Sequence, residues 1–267
     1  KDFYNAWSDY LPGYLYVLWF LGYLKNILFS LKIVIPNELF YKLPSILADL
    51  GTSYFIFKIA KEFKSKKIAF IAAIIYLFNP AILANSTLWG QADSFFAFFL
   101  FLSFCLFIRR NIIFSALFFG VSCIIKPLTF FLFPFVIFYL FFKRKIKTLF
   151  IFLSIASFII VFSFVPFSQG SFFTFVFERF QTTFNQYPYT SLNAFNFWGT
   201  LSLLWERDNL TFLSLTYQKW GILIFGLFYL IIMINFYKKV IMQKVIKEKE
   251  TYFLFLSIAL VLFNSFL

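Results

Sequence analysis

The amino-acid sequence predicts an all-α polytopic transmembrane helix bundle, and three observations carry that prediction. Only 13% of the 267 residues are charged and 62% are hydrophobic, whereas a soluble domain carries about 25% charged residues. The mean hydropathy is +0.85. The basic residues gather in short clusters between long apolar runs. At about 20 apolar residues per crossing, the length has room for about seven or eight membrane helices, with outer-face loops and a juxtamembrane helix. The chain neither opens with Met nor ends on a polar tail, and it reads as one membrane domain, 1–267, truncated at both ends.

The elements follow from the alternation of runs and clusters. Apolar runs cover residues 39–60, 68–84, 94–108, 112–142, 148–166, 217–237 and 251–267, and all seven read as helical. The run 112–142 is too long for one crossing and breaks at Lys126-Pro127, where proline cannot continue the hydrogen-bond ladder. It reads as two short helices. Between the runs stand Lys58, Lys61, Lys64, Lys66 and Lys67, then Arg109 and Arg110, then Lys143, Arg144, Lys145 and Lys147, and last Lys238, Lys239, Lys244, Lys247 and Lys249. By the positive-inside rule these clusters mark cytoplasmic loops, so the net charge of +13 reports topology and not a nucleic-acid partner.

Three polar segments then fall on the opposite side: 1–38, 85–93 and 167–216. The first holds the end of an outer loop and a helix at 15–31 lying in the outer interface, with its Trp and Tyr residues at headgroup level. Residues 39–166 form the transmembrane core, 167–216 an outer loop, and 217–267 the C-terminal spans. The chain contains no His, which excludes a Ser-His-Asp triad, a Cys-His dyad and a His-ligated metal. Cys105 and Cys123 lie in apolar runs without ligand spacing and read as small core residues.

With only 11 acidic residues, their placement is informative. Asp49 and Lys126 fall inside apolar runs, where an unpaired charge costs about 2.5–3.5 kcal/mol on insertion scales; Asp49 reads as a buried structural pair with Lys42 or Lys126. The turn Asn85-Ser86-Thr87-Leu88-Trp89-Gly90-Gln91-Ala92-Asp93 presents an indole (Trp89), an amide (Gln91) and a carboxylate (Asp93) at the start of a helix. Asp93 there serves either as an N-cap or as a functional acid.

These residues resemble a family. Asp9-Tyr10-Leu11-Pro12-Gly13-Tyr14-Leu15-Tyr16, Lys42-Leu43-Pro44 followed by Asp49, Asn79-Pro80 followed by Trp89-Gly90-Gln91 and Asp93, Lys126-Pro127, and Asn193-Ala194-Phe195-Asn196-Phe197-Trp198 occur in the order expected of bacterial and archaeal GT-C glycosyltransferases related to the GPI-anchor mannosyltransferases. Leu11 departs from the usual first proline of the first motif. The resemblance implies a multi-span prokaryotic plasma-membrane enzyme that takes a sugar, often mannose, from a polyprenyl-phosphate carrier on the outer face and inverts its anomeric centre. It also implies that the acidic residue generally held to be the base lies upstream of Lys1.

The chemistry of such a transfer needs a carboxylate for the acceptor hydroxyl, a cation for the leaving phosphate, and aromatic or amide groups for sugars. Asp9 and Asp93 are the candidate catalytic carboxylates. Lys126 and Arg179 are the candidate phosphate cations; the competing readings are snorkelling for Lys126 and an exposed amphipathic loop helix for Arg179. Trp89, Gln91, Tyr187, Tyr189, Asn193 and Asn196 are candidate sugar-binding groups, although an interfacial aromatic belt supplies Tyr and Trp without function. The expected partners are the polyprenyl-phosphate sugar, a glycan, lipid or protein acceptor, and membrane lipids; no cofactor is implied and no metal site is visible. A polytopic lipid or solute transporter is the alternative, with Asp49 and Lys126 lining its path. An oligosaccharide polymerase or ligase is a third reading, disfavoured by the presence of only Arg179 and Arg207 as arginines in the outer segments.

Overall fold

The structure, a computed structural model, describes residues 2–5, 8, 10–168, 170–192 and 196–242. The expected span at 251–267 lies outside the described residues. The chain divides into two compact units, one built from residues 1–130 and 150–180, the other from 131–149 and 181–267.

In the first unit each helix boundary has a local cause. Helix α1, Pro12–Ser30, starts on a proline whose fixed φ suits the first helical position. Helix α2, Asn37–Phe63, is the longest described. Helix α3, Lys66–Leu77, is capped by Ser65, whose hydroxyl accepts the Ile68 amide at 3.4 Å. The expected run 68–84 does not continue as one straight helix: Asn79-Pro80 interrupts it, Asn79 Oδ1 caps the short helix α4, Pro80–Leu83, and a π-helical turn follows at Ala84–Trp89, at 43° to α3. Gly90 closes that turn at φ +80°, in the left-handed region open to glycine. Helix α5, Asp93–Ile108, and helix α6, Ile112–Ile125, come next, and α6 stops at Lys126 because the residue before a proline is driven out of the helical region, here to φ −138°, ψ 128°.

Helix α2 packs against both α3 and α5, and α5 against α6. Near its start, Lys42 and Ser45 reach Leu88 and Gln91; near its end, Glu62 pairs with Arg109. At 1.5 Å per residue these contacts are about 30 Å apart along the helix. The basic clusters around Lys64–Lys67 and Arg109–Arg110 therefore share one end of the unit, and residues 85–93 occupy the other. Helix α8, Ile146–Phe164, shows what surrounds the unit: Phe152, Ala156 and Phe164 are fully buried, while Phe150, Phe158 and Phe162 are 60–66% exposed. A helix apolar on its exposed face as well as its packed face belongs in lipid. After Pro166, helix α9, Phe172–Phe184, turns Phe172, Val176 and Phe180 onto a core with Leu11, Phe164 and Tyr4, and leaves Phe173 and Phe177 exposed.

The second unit holds helix α7, Phe133–Phe142, the short helix α10, Phe197–Thr200, a two-residue hairpin of β1, Thr211–Phe212, and β2, Leu215–Thr216, and helix α11, Tyr217–Phe236. Phe135 stacks edge-on against Tyr229 and Phe236 of α11, and the Tyr229 hydroxyl donates to the Phe131 carbonyl.

Among the described residues, two helices are long and apolar enough to cross a membrane, Ile146–Phe167 and Tyr217–Lys239, with the bent pair at Lys66–Leu77 and Pro80–Trp89 a third. The expected count of seven or eight is not confirmed among the described residues. Helices α5 and α6 have 16 and 14 residues, or about 24 and 21 Å, short of a hydrocarbon core of about 30 Å.

Helix α1 enters the first unit at Gly13, where a Cβ would lie 2.6 Å from the Ile124 carbonyl oxygen, whereas one at Gly22 meets nothing within 4 Å. Gly13→Ala should therefore separate α1 from α6 and cost about 1–3 kcal/mol. Gly22→Ala should be neutral or stabilising by up to about 1 kcal/mol, since alanine is the better helix former. Thermal unfolding of the two detergent-solubilised variants checks this; equal melting temperatures would contradict the close α1–α6 contact.

Candidate functional site

The end of the first unit formed by residues 85–93 gathers polar groups from five elements. Asp93 is the first residue of α5, and Lys126 ends α6. They form an ion pair, with the Asp93 side chain 41% and the Lys126 side chain 37% exposed. The other Asp93 oxygen accepts from Asn85 Nδ2 at 3.2 Å. The capping reading of Asp93 is thereby corrected: the N-cap position is Ala92, and no side-chain cap bond is made there. Asp93 sits one residue too late to reach back to the free amides, and its carboxylate instead meets Lys126.

The Lys126 side chain goes to that carboxylate. The break that presents it is held by two buried hydroxyls: Ser122 Oγ bonds Thr129 Oγ1 at 2.8 Å across the Lys126-Pro127 corner and donates to the Phe96 carbonyl of α5 at 3.3 Å. Tyr14 of α1 packs edge-on against Phe95, two residues after Asp93, and its phenol lies against the Ser45 hydroxyl. The motif residues Pro12, Gly13 and Tyr14 are thus buried at the foot of this site.

Trp89 is 76% exposed at the end of the π turn, four residues before Asp93, and Gln91 is partly exposed in the loop that leads to Asp93. Arg179 on α9 lies over the Tyr4 and Phe175 rings, 5.1 and 5.7 Å from their centroids. Burial pushes the Tyr4 phenol up from its ordinary pKa, against the opposing pull of that guanidinium. Asp9 and Asn193 lie outside the described residues.

Tyr187, Tyr189 and Asn196 belong to the second unit. Tyr187 is exposed; Tyr189 bridges to Arg207 and stacks edge-on with Trp205. Asn196 is engaged within the fold at both ends of its amide, with Oδ1 accepting from the Gly199 amide at 2.9 Å as the cap of α10 and Nδ2 donating to the Thr190 carbonyl at 3.3 Å. Nearby, burial pushes the Asp208 carboxyl up, while the backbone amides of Asp208 and Asn209 pull it down.

Asp49 is a second correction. It is 3% exposed and pairs with neither Lys42 nor Lys126; Tyr76 of α3 donates to its Oδ1 at 3.0 Å. Lys42 instead donates to the Leu88 carbonyl at 2.9 Å, and Lys126 is taken by Asp93. Three participants escaped the sequence reading: Asn85 as a donor to Asp93, and Lys42 and Ser45 as donors to the loop. The helical spacing of Lys42 and Ser45, three residues apart on one face, was the available signal.

The arrangement is a carboxylate and an ammonium in contact on partly exposed side chains, with Trp89 and Gln91 on the loop that leads to the carboxylate. A carboxylate so placed accepts a hydrogen bond from a ligand hydroxyl, and the ammonium can pair with a ligand anion without crossing apolar surface.

The sequence profile of the dolichyl-phosphate-mannose-protein mannosyltransferases matches residues 19–167, more than half of the chain. The matched stretch contains Trp89, Gln91, Asp93 and Lys126, and ends before Arg179. No curated protein and no solved structure matches the chain significantly. With its helices apolar on packed and exposed faces alike, the chain belongs to the dolichyl-phosphate-mannose-protein mannosyltransferase family, membrane glycosyltransferases of the GT-C superfamily.

Proposed function

We propose that this chain transfers a hexose, mannose foremost, from a polyprenyl-phosphate carrier to a glycan, lipid or protein acceptor on the extracytoplasmic face of a prokaryotic plasma membrane. The observation that carries the reading is the Asp93–Lys126 pair, held at the end of the unit opposite the basic loops. Family membership supports a lipid-linked donor.

In the transfer, the acceptor oxygen bonds to the sugar's anomeric carbon as the bond from that carbon to the phosphate oxygen breaks. The hydroxyl proton passes to a carboxylate, and the polyprenyl phosphate leaves with one more negative charge. Asp93 is the described carboxylate that accepts the acceptor or sugar hydroxyl. Lys126, already at its side, moves its charge toward the leaving phosphate, where a fixed cation is worth most because charge is developing. Trp89 offers an apolar face for a sugar ring, and Gln91 an amide for its hydroxyls. Arg179, Tyr187, Tyr189 and Asn193 remain candidate donor or acceptor contacts in this reading, together with Asp9. Asn196 acts through the cap it provides.

Sugar transfer from labelled polyprenyl-phosphate mannose, measured in membranes at matched expression, tests the assignment. Asp93→Asn keeps the shape and removes the charge, and kcat should fall about 10- to 100-fold, the size of one lost charge-assisted hydrogen bond. Folding should survive, since a half-exposed ion pair contributes only about 0–1 kcal/mol. Lys126→Gln should raise the KM for the lipid donor and lower kcat together. Wild-type kinetics in both variants would remove the site.

Sidedness has its own test. Ser86 is 1% exposed and donates to the Ile82 carbonyl, so it makes a poor probe; Leu88, 76% exposed, makes a good one. Cys105 and Cys123 are buried and should stay silent. A membrane-impermeant maleimide applied from outside should modify Leu88→Cys and spare Ser65→Cys. The reverse pattern would turn the site to the cytoplasm.

A further inference from the structure

The loop that carries Trp89, Gln91 and Asp93 is fastened at two points by one face of α2. Lys42 Nζ donates to the Leu88 carbonyl at 2.9 Å, and Ser45 Oγ donates to the Gln91 carbonyl at 2.7 Å. The first acceptor belongs to the last turn of the π segment, where carbonyls lack ladder partners and a lysine is a favoured donor. The second lies just before the α5 N-cap, Ala92. Between them, Gly90 at φ +80° rests on the Lys42 stem, its missing Cβ 3.0 Å from the Lys42 side chain. Ser45 is fully buried and Lys42 partly so. Outside the π segment's own ladder, the Gly90 and Gln91 amides bond back to the Asn85 carbonyl, at 2.9 and 3.0 Å, and the fastening of this loop to α2 comes from Lys42 and Ser45.

We propose that Lys42 and Ser45 are positioning residues for glycosyl transfer: a two-point clamp that sets where the Trp89 indole, the Gln91 amide and the Asp93 carboxylate stand relative to Lys126. The inference rests on the functional reading above. The Lys42 charge serves the protein backbone and not the lipid phosphate, and its effect on substrate passes through the loop. A reacting group misplaced by about 1 Å loses as much as 100-fold in rate while substrate binding elsewhere is kept, so the clamp belongs to turnover more than to affinity.

The test uses the full chain in membranes and in detergent. Lys42→Met keeps the stem against Gly90 and removes the donor. It should lower kcat by about tenfold or more, leave the donor KM within about twofold, and raise amide exchange in the peptide covering 85–93 without raising it in the body of α5. Lys42→Arg, which keeps a donor, should recover most of the rate, and Lys42→Met added to Asp93→Asn should cost clearly less than the product of the two single losses. A raised donor KM at unchanged kcat would make Lys42 a phosphate ligand and overturn the clamp, as would losses that multiply in the double variant or unchanged exchange at 85–93. Impaired Asp93→Asn beside unaltered Lys42→Met would overturn the clamp alone. Wild-type transfer by Asp93→Asn would overturn the functional reading, and the clamp's catalytic role with it, whatever the exchange shows.

Discussion

An ion pair between the first residue of α5 and Lys126, the residue just past the end of α6, is the constraint around which the first unit is arranged. Lys126 closes an apolar helix, where an unpaired ammonium is costly; Asp93 opens the neighbouring helix, where the backbone dipole favours a carboxylate. The Lys126-Pro127 corner turns the lysine out of α6 and the hydroxyls of Ser122 and Thr129 hold the corner shut. The pair needs α5 and α6 in contact at this end, and the buried Ser103 hydroxyl, bonded to the Ser115 carbonyl at 2.8 Å, joins the same two helices farther along. Helix α1 closes on this end through Gly13, a position that admits no side chain.

Because the pair is half exposed, its contribution to stability is small, and its value lies in what it presents. A buried pair of the same charges holds a fold but cannot meet a substrate. An unpaired carboxylate in the same place is free to wander. Contact with Lys126 and with Asn85 fixes the Asp93 oxygens while solvent still reaches them. Asp49 is the contrast within the same unit: it is 3% exposed, bonded to a tyrosine, and enclosed by α2 and α3, which is the environment of a structural acid.

The sequence was legible wherever one physical rule dominated. Apolar length predicted helices that the structure places at Asn37–Phe63, Asp93–Ile108, Ile146–Phe164 and Tyr217–Phe236, and proline predicted the break after Lys126. Hydropathy did not show that Asn79-Pro80 bends one run. Charge pairing was legible only as a need. Asp49, Lys42 and Lys126 all required partners, but which partner each takes depends on helix packing: a one-residue difference puts Asp93 past the cap and beside Lys126, and the parallel course of α2 and α5 brings Lys42 to the loop before α5, where it meets a carbonyl. Asn196, a candidate sugar contact in the sequence, also caps Gly199, a role that its place in an aromatic stretch does not show.

The central claim is that Asp93 and Lys126 act as one unit on the transferred sugar phosphate, and a double-variant cycle on the transfer rate tests it most directly. With Asp93→Asn, Lys126→Gln and their combination compared at matched expression, the account predicts a strongly non-additive cycle, in which the double variant is no slower than the worse single variant within about threefold, as for residues that share one site. Losses that multiply in the double variant would contradict it and assign the two charges to separate roles.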